Sequence, residues 1–250
     1  SGNVYVIGNT IYVGPSTVDF GDESASKTVN IFTSQDGFVT KLNANSSYAW
    51  TKILYGSASV STKTMYLQSI KSDNAGNMYL KGKQYSGVSF AQWTGGINTT
   101  TGNSFVMKFN NENYLWHRTF SFATNEYYDS TGLEIDNSGN VYMSDYIGDI
   151  STSGGVINIA SGFGETDNKT ISGSRDIHLT KINSDGSYGW TQIWAGSGDD
   201  SIAAFYMDAN HNMVLAGRLG SGSILDLNFT SQGNTYSGTA IFVNSFKIIQ

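Results

Sequence analysis

Short runs of alternating apolar and polar residues recur along the chain and predict β-strands. A Gly-Asn-Val-Tyr-Val phrase at 2–6 returns, with substitutions, at 76–80, 139–143 and 211–215. Three copies follow an aspartate, which is Asp73, Asp136 or Asp208. Asp opening and Gly closing a turn between two β-rich runs is typical of a tight hairpin. No stretch of the chain holds an apolar stripe with helical spacing, so the pattern predicts an all-β chain of repeated hairpins.

Two further phrases complete each repeat. Phe-Val-Thr-Lys and its variants end at Lys41, Lys108 and Lys181, and a Tyr-x-Trp phrase follows each of them. The fourth copy is degenerate and has Ser245 in place of lysine. Between the first two phrases lies an apolar-polar-apolar triplet, at 18–20, 88–90, 157–159 and 225–227. The triplets predict half-buried strands. A strand before each Asp turn, at 65–71, 132–136 and 202–208, joins the Asn-x-Tyr, Phe-Val-x-Lys and Tyr-x-Trp strands into repeated four-stranded antiparallel units.

The repeats predict a β-propeller, in which four-stranded blades are arranged radially. We place the repeats at approximately 1–64, 65–131, 132–201 and 202–250, within a single propeller region over 1–250. Helical and single-stranded solenoids have repeats that are shorter than the distance along this chain between successive Gly-Asn phrases. The first and last repeats each have three strands, and native proteins avoid exposed sheet edges. We therefore expect the chain to be part of a larger, seven-bladed type of ring, with a closed ring of four blades as the alternative.

The order of these motifs resembles the SBBP-type bacterial β-propeller repeat. The resemblance rests on Asp-x-x-Gly-Asn-Val-Tyr-Val, Val-Asp-Phe, Asp-Gly-Phe-Val-Thr-Lys-Leu-Asn and the Gly-Ser-Gly-Asp-Asp loop at 196–200, and it covers essentially the whole chain. It implies a seven-bladed propeller from a secreted or surface-exposed bacterial protein, with no shared catalytic motif. Only the third repeat has the Gly-Ser-Gly-Asp-Asp loop.

Composition narrows the function classes. The 250 residues contain no cysteine, which excludes disulfides and thiolate chemistry. Only 14% of residues are charged and the net charge is −6, which gives no electrostatic basis for binding nucleic acid. No run of apolar residues is long enough for a transmembrane helix, so we expect no membrane insertion. The uncharged polar surface favours an extracellular or cell-surface location.

Metal and cofactor chemistry has weak support. Asp199 and Asp200 form an acidic pair on the loop at the end of the third repeat, and carboxylates are the oxygen ligands that Ca²⁺ prefers. We favour a solvated turn whose acids cap backbone N–H groups, because a calcium site needs six to eight oxygen ligands. The histidines His117, His178 and His211 stand at unrelated positions. We therefore predict no cofactor, no metal and no catalytic residues.

Aromatic residues that break the repeat pattern are the candidates for a binding surface, because exposed aromatics mark contact surfaces. They are Tyr55, Trp93, Tyr127, Tyr128 and Trp194. The long connections at about 8–36, 82–103, 146–175 and 217–240 are the expected place for recognition, since propellers bind through such loops.

These observations predict a non-enzymatic, adhesin-like binding or scaffolding propeller of bacterial origin, whose partner is a protein or a surface glycan. One alternative is a structural subunit of an extracellular fibre, in which neighbouring chains complete the open blades. Another alternative is a polysaccharide-acting enzyme domain, which needs two carboxylates at one site. Glu126, Glu134, Asp145 and Asp199 are the candidates for that pair.

Overall fold

A computed structural model gives the fold of the chain. It describes residues 2–10, 16–19, 28–31, 36–56, 65–84, 88–89, 104–120, 132–148, 155–172, 175–220, 224–225, 234–235 and 240–247. The chain divides into two compact units, unit 1 from Ser1 to Thr119 and unit 2 from Phe120 to Gln250. Within the described ranges, no helix has the length and hydrophobicity needed to cross a membrane.

Unit 1 holds two four-stranded antiparallel sheets and a short hairpin. Its strands in chain order are β1 Val4–Asn9, β2 Ser16–Asp19, β3 Thr28–Ile31, β4 Gly37–Leu42, β5 Tyr48–Gly56, β6 Met65–Ser72, β7 Asn77–Gln84, β8 Val88–Ser89, β9 Ser104–Asn110 and β10 Asn113–Phe120. Sheet 1 has the order β1-β4-β5-β8, and sheet 2 has the order β10-β9-β7-β6. The strands β2 and β3 pair with each other in the connection between β1 and β4.

Unit 2 holds a four-stranded sheet, a three-stranded sheet and two short hairpins. Its strands are β11 Leu133–Ile135, β12 Val141–Ile147, β13 Gly155–Asn158, β14 Asn168–Ile171, β15 Asp176–Ile182, β16 Tyr188–Trp194, β17 Ser201–Met207, β18 Asn212–Leu219, β19 Ile224–Leu225, β20 Asn234–Thr235 and β21 Ala240–Lys247. Sheet 3 has the order β11-β12-β15-β16, and sheet 4 has the order β17-β18-β21. Short hairpins, β13-β14 and β19-β20, again stand in the long connections, and a 3-10 turn spans Ser161–Phe163.

Each unit has its own apolar core between its two sheets. In unit 1, Val39, Trp50 and Leu54 of sheet 1 pack with Met78 and Leu80 of sheet 2. In unit 2, the equivalent strands of sheets 3 and 4 supply the core residues. These are Ile177, Leu179 and Trp194 from sheet 3 with Met213 and Leu215 from sheet 4. The alternation that predicts strands thus places apolar side chains of each sheet in the core of its own unit.

The prediction of an all-β chain with antiparallel four-stranded sheets is confirmed. The apolar-polar-apolar triplets overlap β2, β8, β13 and β19, so each triplet has at least one described residue in a strand. One pairing departs from the prediction. The short strand β8 lies in the second repeat but pairs with β5 of the first, through Tyr55↔Ser89 and Gly56↔Val88. A local pattern identifies a strand but does not specify its partner.

Candidate functional site

The recurring aspartates organise the turns that carry them. Asp73 Oδ1 accepts a hydrogen bond from the backbone N–H of Asn77 at 2.8 Å, and its Oδ2 accepts from the Asn77 side chain at 2.7 Å and from the Tyr79 hydroxyl at 3.0 Å. Asp136 makes the same bonds to Asn140 and Tyr142. These carboxylates are therefore used within their own turns, where each closes the hairpin and fixes the next strand.

The Asp73 turn also shows how its carboxyl group titrates. Burial acts to raise the pKa of Asp73, but the hydrogen bonds donated by Asn77, Tyr79 and Ala75 outweigh it and lower the pKa below its usual range. The charged form is the better acceptor of several N–H and O–H donors. Asp73 is thus held as a carboxylate at neutral pH.

The recurring tyrosine, lysine and tryptophan form a cross-strand ladder in sheets 1, 2 and 3. Tyr5 lies opposite Lys41, which lies opposite Trp50. The Tyr5 and Trp50 ring centroids are 6.0 Å apart and edge-on. In sheet 2 the ammonium of Lys108 lies 5.1 Å from the Tyr79 ring centroid, within cation–π distance. Lys108 thus serves the packing of its own sheet.

A polar cavity of about 440 Å³ lies in unit 1 beside this ladder. Its volume is in the range of small-molecule sites. Most of its lining is uncharged and able to both donate and accept hydrogen bonds. The lining residues are Gly2, Asn3, Tyr5, Lys41, Ser72, Asp73, Asn74, Gly76, Met78, Asn110 and Asn111. We call this space the amide cavity, after its four asparagines.

Lys41 and Asp73 are the two charged residues of the amide-cavity lining. The Lys41 ammonium donates to Asn111 Oδ1 at 2.7 Å, and the Trp50 indole donates to the same oxygen at 3.4 Å. Asn111 has a left-handed backbone with φ of 52°, which asparagine adopts more readily than most residues. Burial raises the pKa of Tyr5, so its hydroxyl stays protonated at neutral pH. The cavity therefore offers one positive charge, one negative charge, amide groups and a protonated phenol.

Sheet 3 differs from the other sheets at one cross-strand pair. In sheets 1, 2 and 4 a glycine faces a phenylalanine, in the pairs Gly8↔Phe38, Gly82↔Phe105 and Gly217↔Phe242. A Cβ on Gly82 would lie 2.6 Å from the Phe105 ring, so the ring occupies the space that a side chain would need. Sheet 3 has Asp145↔His178 instead, and both side chains are fully buried. The His178 Nδ1 lies 2.9 Å from Thr180 Oγ1.

The acidic loop after sheet 3 makes structural contacts. Asp199 forms an ion pair with Arg175 at 3.3 Å. Asp200 is fully buried, and its Oδ1 accepts from the Gly220 backbone N–H at 2.8 Å. Asp200 therefore caps a backbone N–H as expected, but in the interior rather than on a solvated turn. The described residues contain no group of three or more His, Asp or Glu side chains that could hold a metal ion.

Asp176 lies next to this loop. Its Oδ2 accepts from the Ser172 N–H at 2.7 Å and its Oδ1 from the Gly196 N–H at 3.2 Å. Burial raises the pKa of Asp176 to about 7, and the neighbouring Asp200 carboxylate adds to the increase while the two backbone hydrogen bonds oppose it. Asp176 is thus a buried carboxyl group that gains or loses its proton near neutral pH.

Two of the five aromatic residues predicted to form a binding surface lie in the described part of the chain, and they differ in burial. Trp194 is fully buried in the core of unit 2, so it does not form part of an exposed surface and this prediction needs correction. Tyr55 is half-buried, at the pairing of β5 with β8. Trp93, Tyr127 and Tyr128 lie outside the described residues. Of the carboxylates considered for an enzyme, Glu126 lies outside the described residues, Glu134 and Asp145 are buried, and Asp199 pairs with Arg175.

The sequence contained a signal for Trp194. It stands four residues after the recurring Trp190, and positions separated by an even number along a strand share one face. Leu54 has the same relation to Trp50 and is also fully buried. The sequence also contained a signal for the Asp145–His178 pair. An alignment of the four repeats places these two residues where glycine and phenylalanine stand in the other repeats. The amide cavity had no comparable signal, because its residues come from separate repeats.

No protein-family model matches this chain, and a search of curated proteins gives no match either. The resemblance to the SBBP repeat therefore stays a prediction.

Proposed function

We propose that this chain is a non-enzymatic binding and scaffolding region of an extracellular bacterial β-propeller, and that the amide cavity binds a neutral, hydroxyl-rich ligand such as a surface glycan. The propeller interpretation is supported by the succession of antiparallel sheets, each built from strands in nearly sequential order. It is also supported by the face-to-face packing of consecutive sheets within each unit. The SBBP resemblance, the bacterial origin and the cell-surface location belong to the same proposal.

The observation that carries the ligand class is the lining of the amide cavity. Asparagine side chains supply two donors and one acceptor oxygen each, which suits hydroxyl groups that both donate and accept. The lining holds one positive charge, on Lys41, and one negative charge, on Asp73. Because the lining has no excess of either charge, it favours a neutral ligand over an ionic one. The half-buried ring of Tyr5 adds an apolar surface for the C–H face of a sugar.

The recurring charged residues support a binding function rather than catalysis. Asp73, Asp136 and Asp208 accept hydrogen bonds from their own turns. Lys108 and Lys181 lie over tyrosine rings. General acid–base chemistry needs a carboxyl group that reaches the substrate, and these groups are already used in building the sheets.

Ligand-observed NMR with a panel of neutral and acidic disaccharides tests the proposal. We expect a neutral member to bind and Lys41→Met to weaken it about tenfold, roughly 1.4 kcal/mol, which corresponds to one lost charge-assisted hydrogen bond. Asn111→Ala removes the acceptor that positions Lys41 and should act similarly. Lys169→Met is the matched control, because Lys169 pairs with Asp167 in unit 2.

Two results would contradict the proposal. Equal binding by wild type, Lys41→Met and Asn111→Ala would remove the amide cavity as the site. Release of new reducing ends from an oligosaccharide incubated with the wild-type chain would replace the binding role with the polysaccharide-acting alternative.

A further inference from the structure

The hairpin β13-β14 of unit 2 stands apart from the four main sheets. Its two strands pair with each other and, among the described residues, with no other strand. Val156 on β13 is 70% exposed, whereas Ile159 and Ala160, in the segment that joins the two strands, are 2% and 0% exposed. The hairpin is therefore buried at its connecting segment, 159–167, rather than along its strands.

This connecting segment is held in shape by hydrogen bonds of its own. Asn158 Oδ1 accepts from the backbone N–H groups of Ala160 at 3.2 Å and Asp167 at 2.9 Å. The Asn158 side-chain amide also donates to the carbonyl of Glu165 at 3.0 Å. The 3-10 turn Ser161–Phe163 lies between these partners. All of these bonds are internal to the hairpin, so its shape does not depend on sheet 3.

Tyr188 of β16 fastens the connecting segment to sheet 3 in two ways. Its ring centroid lies 5.2 Å from that of Phe163, and its hydroxyl donates a hydrogen bond to Asp167 Oδ2. Burial raises the pKa of Tyr188 and the Asp167 carboxylate raises it further, so the hydroxyl stays protonated and able to donate at neutral pH. A hydrogen bond to a carboxylate is stronger than one between neutral groups. One side chain thus provides both an aromatic and a charge-assisted contact.

The equivalent tyrosine of sheet 2 is bonded differently. Tyr114, like Tyr188, opens a Tyr-x-Trp phrase. The Tyr114 hydroxyl lies 2.7 Å from Nδ1 of His117, which is three residues further along the same strand. The hydroxyl of Tyr114 therefore bonds within β10, whereas that of Tyr188 bonds to a separate element.

We infer that the β13-β14 hairpin is a strap that opens from sheet 3 as one body, with Tyr188 as its latch. The hydrogen bonds of Asn158 keep the strap folded when it opens, because none of them reaches sheet 3. Elements held by few contacts open at a lower free energy than the core strands of the same protein. This inference goes beyond the proposed ligand binding and does not depend on it, because the amide cavity lies in unit 1.

Thiol labelling tests the inference, because the chain has no cysteine of its own. Ala160→Cys places a reporter in the strap, and Ser144→Cys places one on β12 of sheet 3, both at positions that are 0% exposed. We expect the strap cysteine to react at least tenfold faster than the sheet cysteine, because the strap opens while sheet 3 stays folded. Equal rates would overturn the inference, since they would show that the strap and the sheet open together.

Removal of the latch hydroxyl identifies the contact that holds the strap. Tyr188→Phe keeps the ring and should speed labelling of the strap cysteine about tenfold, as expected for one lost charge-assisted hydrogen bond, with no change at the sheet cysteine. Asp167→Ala removes the acceptor from the other side of the bond and should have the same effect. Tyr114→Phe is the matched control and should change neither rate.

Three results of the latch experiment would overturn the inference. They are an unchanged strap rate in both Tyr188→Phe and Asp167→Ala, an equal increase at the strap and sheet cysteines, and the same increase in Tyr114→Phe. Circular dichroism identical to that of the wild type establishes that each variant is folded.

Discussion

Sheets 2 and 3 share their plan but differ in one buried pair. Both have four strands in the same order, the same aspartate-centred turn and the same Tyr–Lys–Trp ladder. Sheet 2 pairs Gly82 with Phe105, whereas sheet 3 pairs Asp145 with His178 at the same register. The recurring residues determine strand order and turn geometry. A single cross-strand pair can therefore change from apolar to ionisable without a change in topology.

Exchanging that pair gives the largest expected effect. His178→Phe leaves Asp145 buried opposite a phenylalanine ring, and Asp145→Gly leaves a buried imidazole opposite a glycine. Each single change should lower the free energy of unfolding by about 3 kcal/mol, because an ionisable group loses its polar environment in the interior. The double variant recreates the glycine–aromatic pair of sheet 2 and should recover most of the loss. Urea denaturation of the four proteins measures the coupling.

Sheet 2 provides the control for that experiment. Phe105→His places an imidazole against Gly82 without an aspartate partner, so it should be destabilising by a similar amount. Additive losses in the Asp145→Gly/His178→Phe variant would show that the two residues act independently and that the comparison between the sheets is misleading.

Removal of the turn aspartate should destabilise the protein by a similar amount in sheet 2 and in sheet 3. Asp73→Ala removes the acceptor for Asn77 and Tyr79, and Asp136→Ala removes it for Asn140 and Tyr142. We expect each change to lower the unfolding free energy by about 1–3 kcal/mol, since buried donors lose their partner. Chemical denaturation with an unchanged m-value measures this loss. A loss confined to one sheet would contradict a shared role for the motif.

Asp176 and Asp73 should differ in the direction of the pH dependence that each gives to the stability of the fold. The folded pKa of Asp176 is about 7, against an ordinary 3.8, so the folded chain keeps a proton that the unfolded chain releases. This group therefore contributes stability that is complete below about pH 4 and is lost as the pH rises to 7. Asp73 has a lowered pKa, so its contribution is present above pH 3.8 and is lost as the pH falls below it.

Melting temperatures between pH 3 and pH 8 separate the two groups. Asp176→Asn should flatten the decrease in Tm between about pH 4 and pH 7, because the side-chain amide of asparagine does not ionise in this range. Asp73→Asn should leave that window unchanged and alter only the acid limb. A wild-type slope that survives in Asp176→Asn would assign the titration to another group.

The sequence was sufficient for the parts of the fold that depend on nearby residues. Period-2 alternation and the Asp-to-Gly turns predicted the strands around Asp73 and Asp136, because a hairpin is determined by its own few residues. It was not sufficient for contacts between distant residues. Lys41 reaches Asn111 across 70 residues, and β8 pairs with a strand of the preceding repeat. Trp194 departs from the repeat pattern, which suggests an exposed aromatic, but it shares a strand face with Trp190 and lies in the core.

The aromatic ladder has an optical consequence. In sheets 1, 2 and 3 a tyrosine ring lies 6.0 to 6.2 Å from a tryptophan ring, in the pairs Tyr5–Trp50, Tyr79–Trp116 and Tyr142–Trp190. Energy absorbed by a tyrosine at such a separation passes to the adjacent indole, so these tyrosines emit little light of their own in the native protein. Opening a sheet separates the rings and restores tyrosine emission. The ladder that packs each sheet is thus also a built-in fluorescent reporter of whether that sheet is intact.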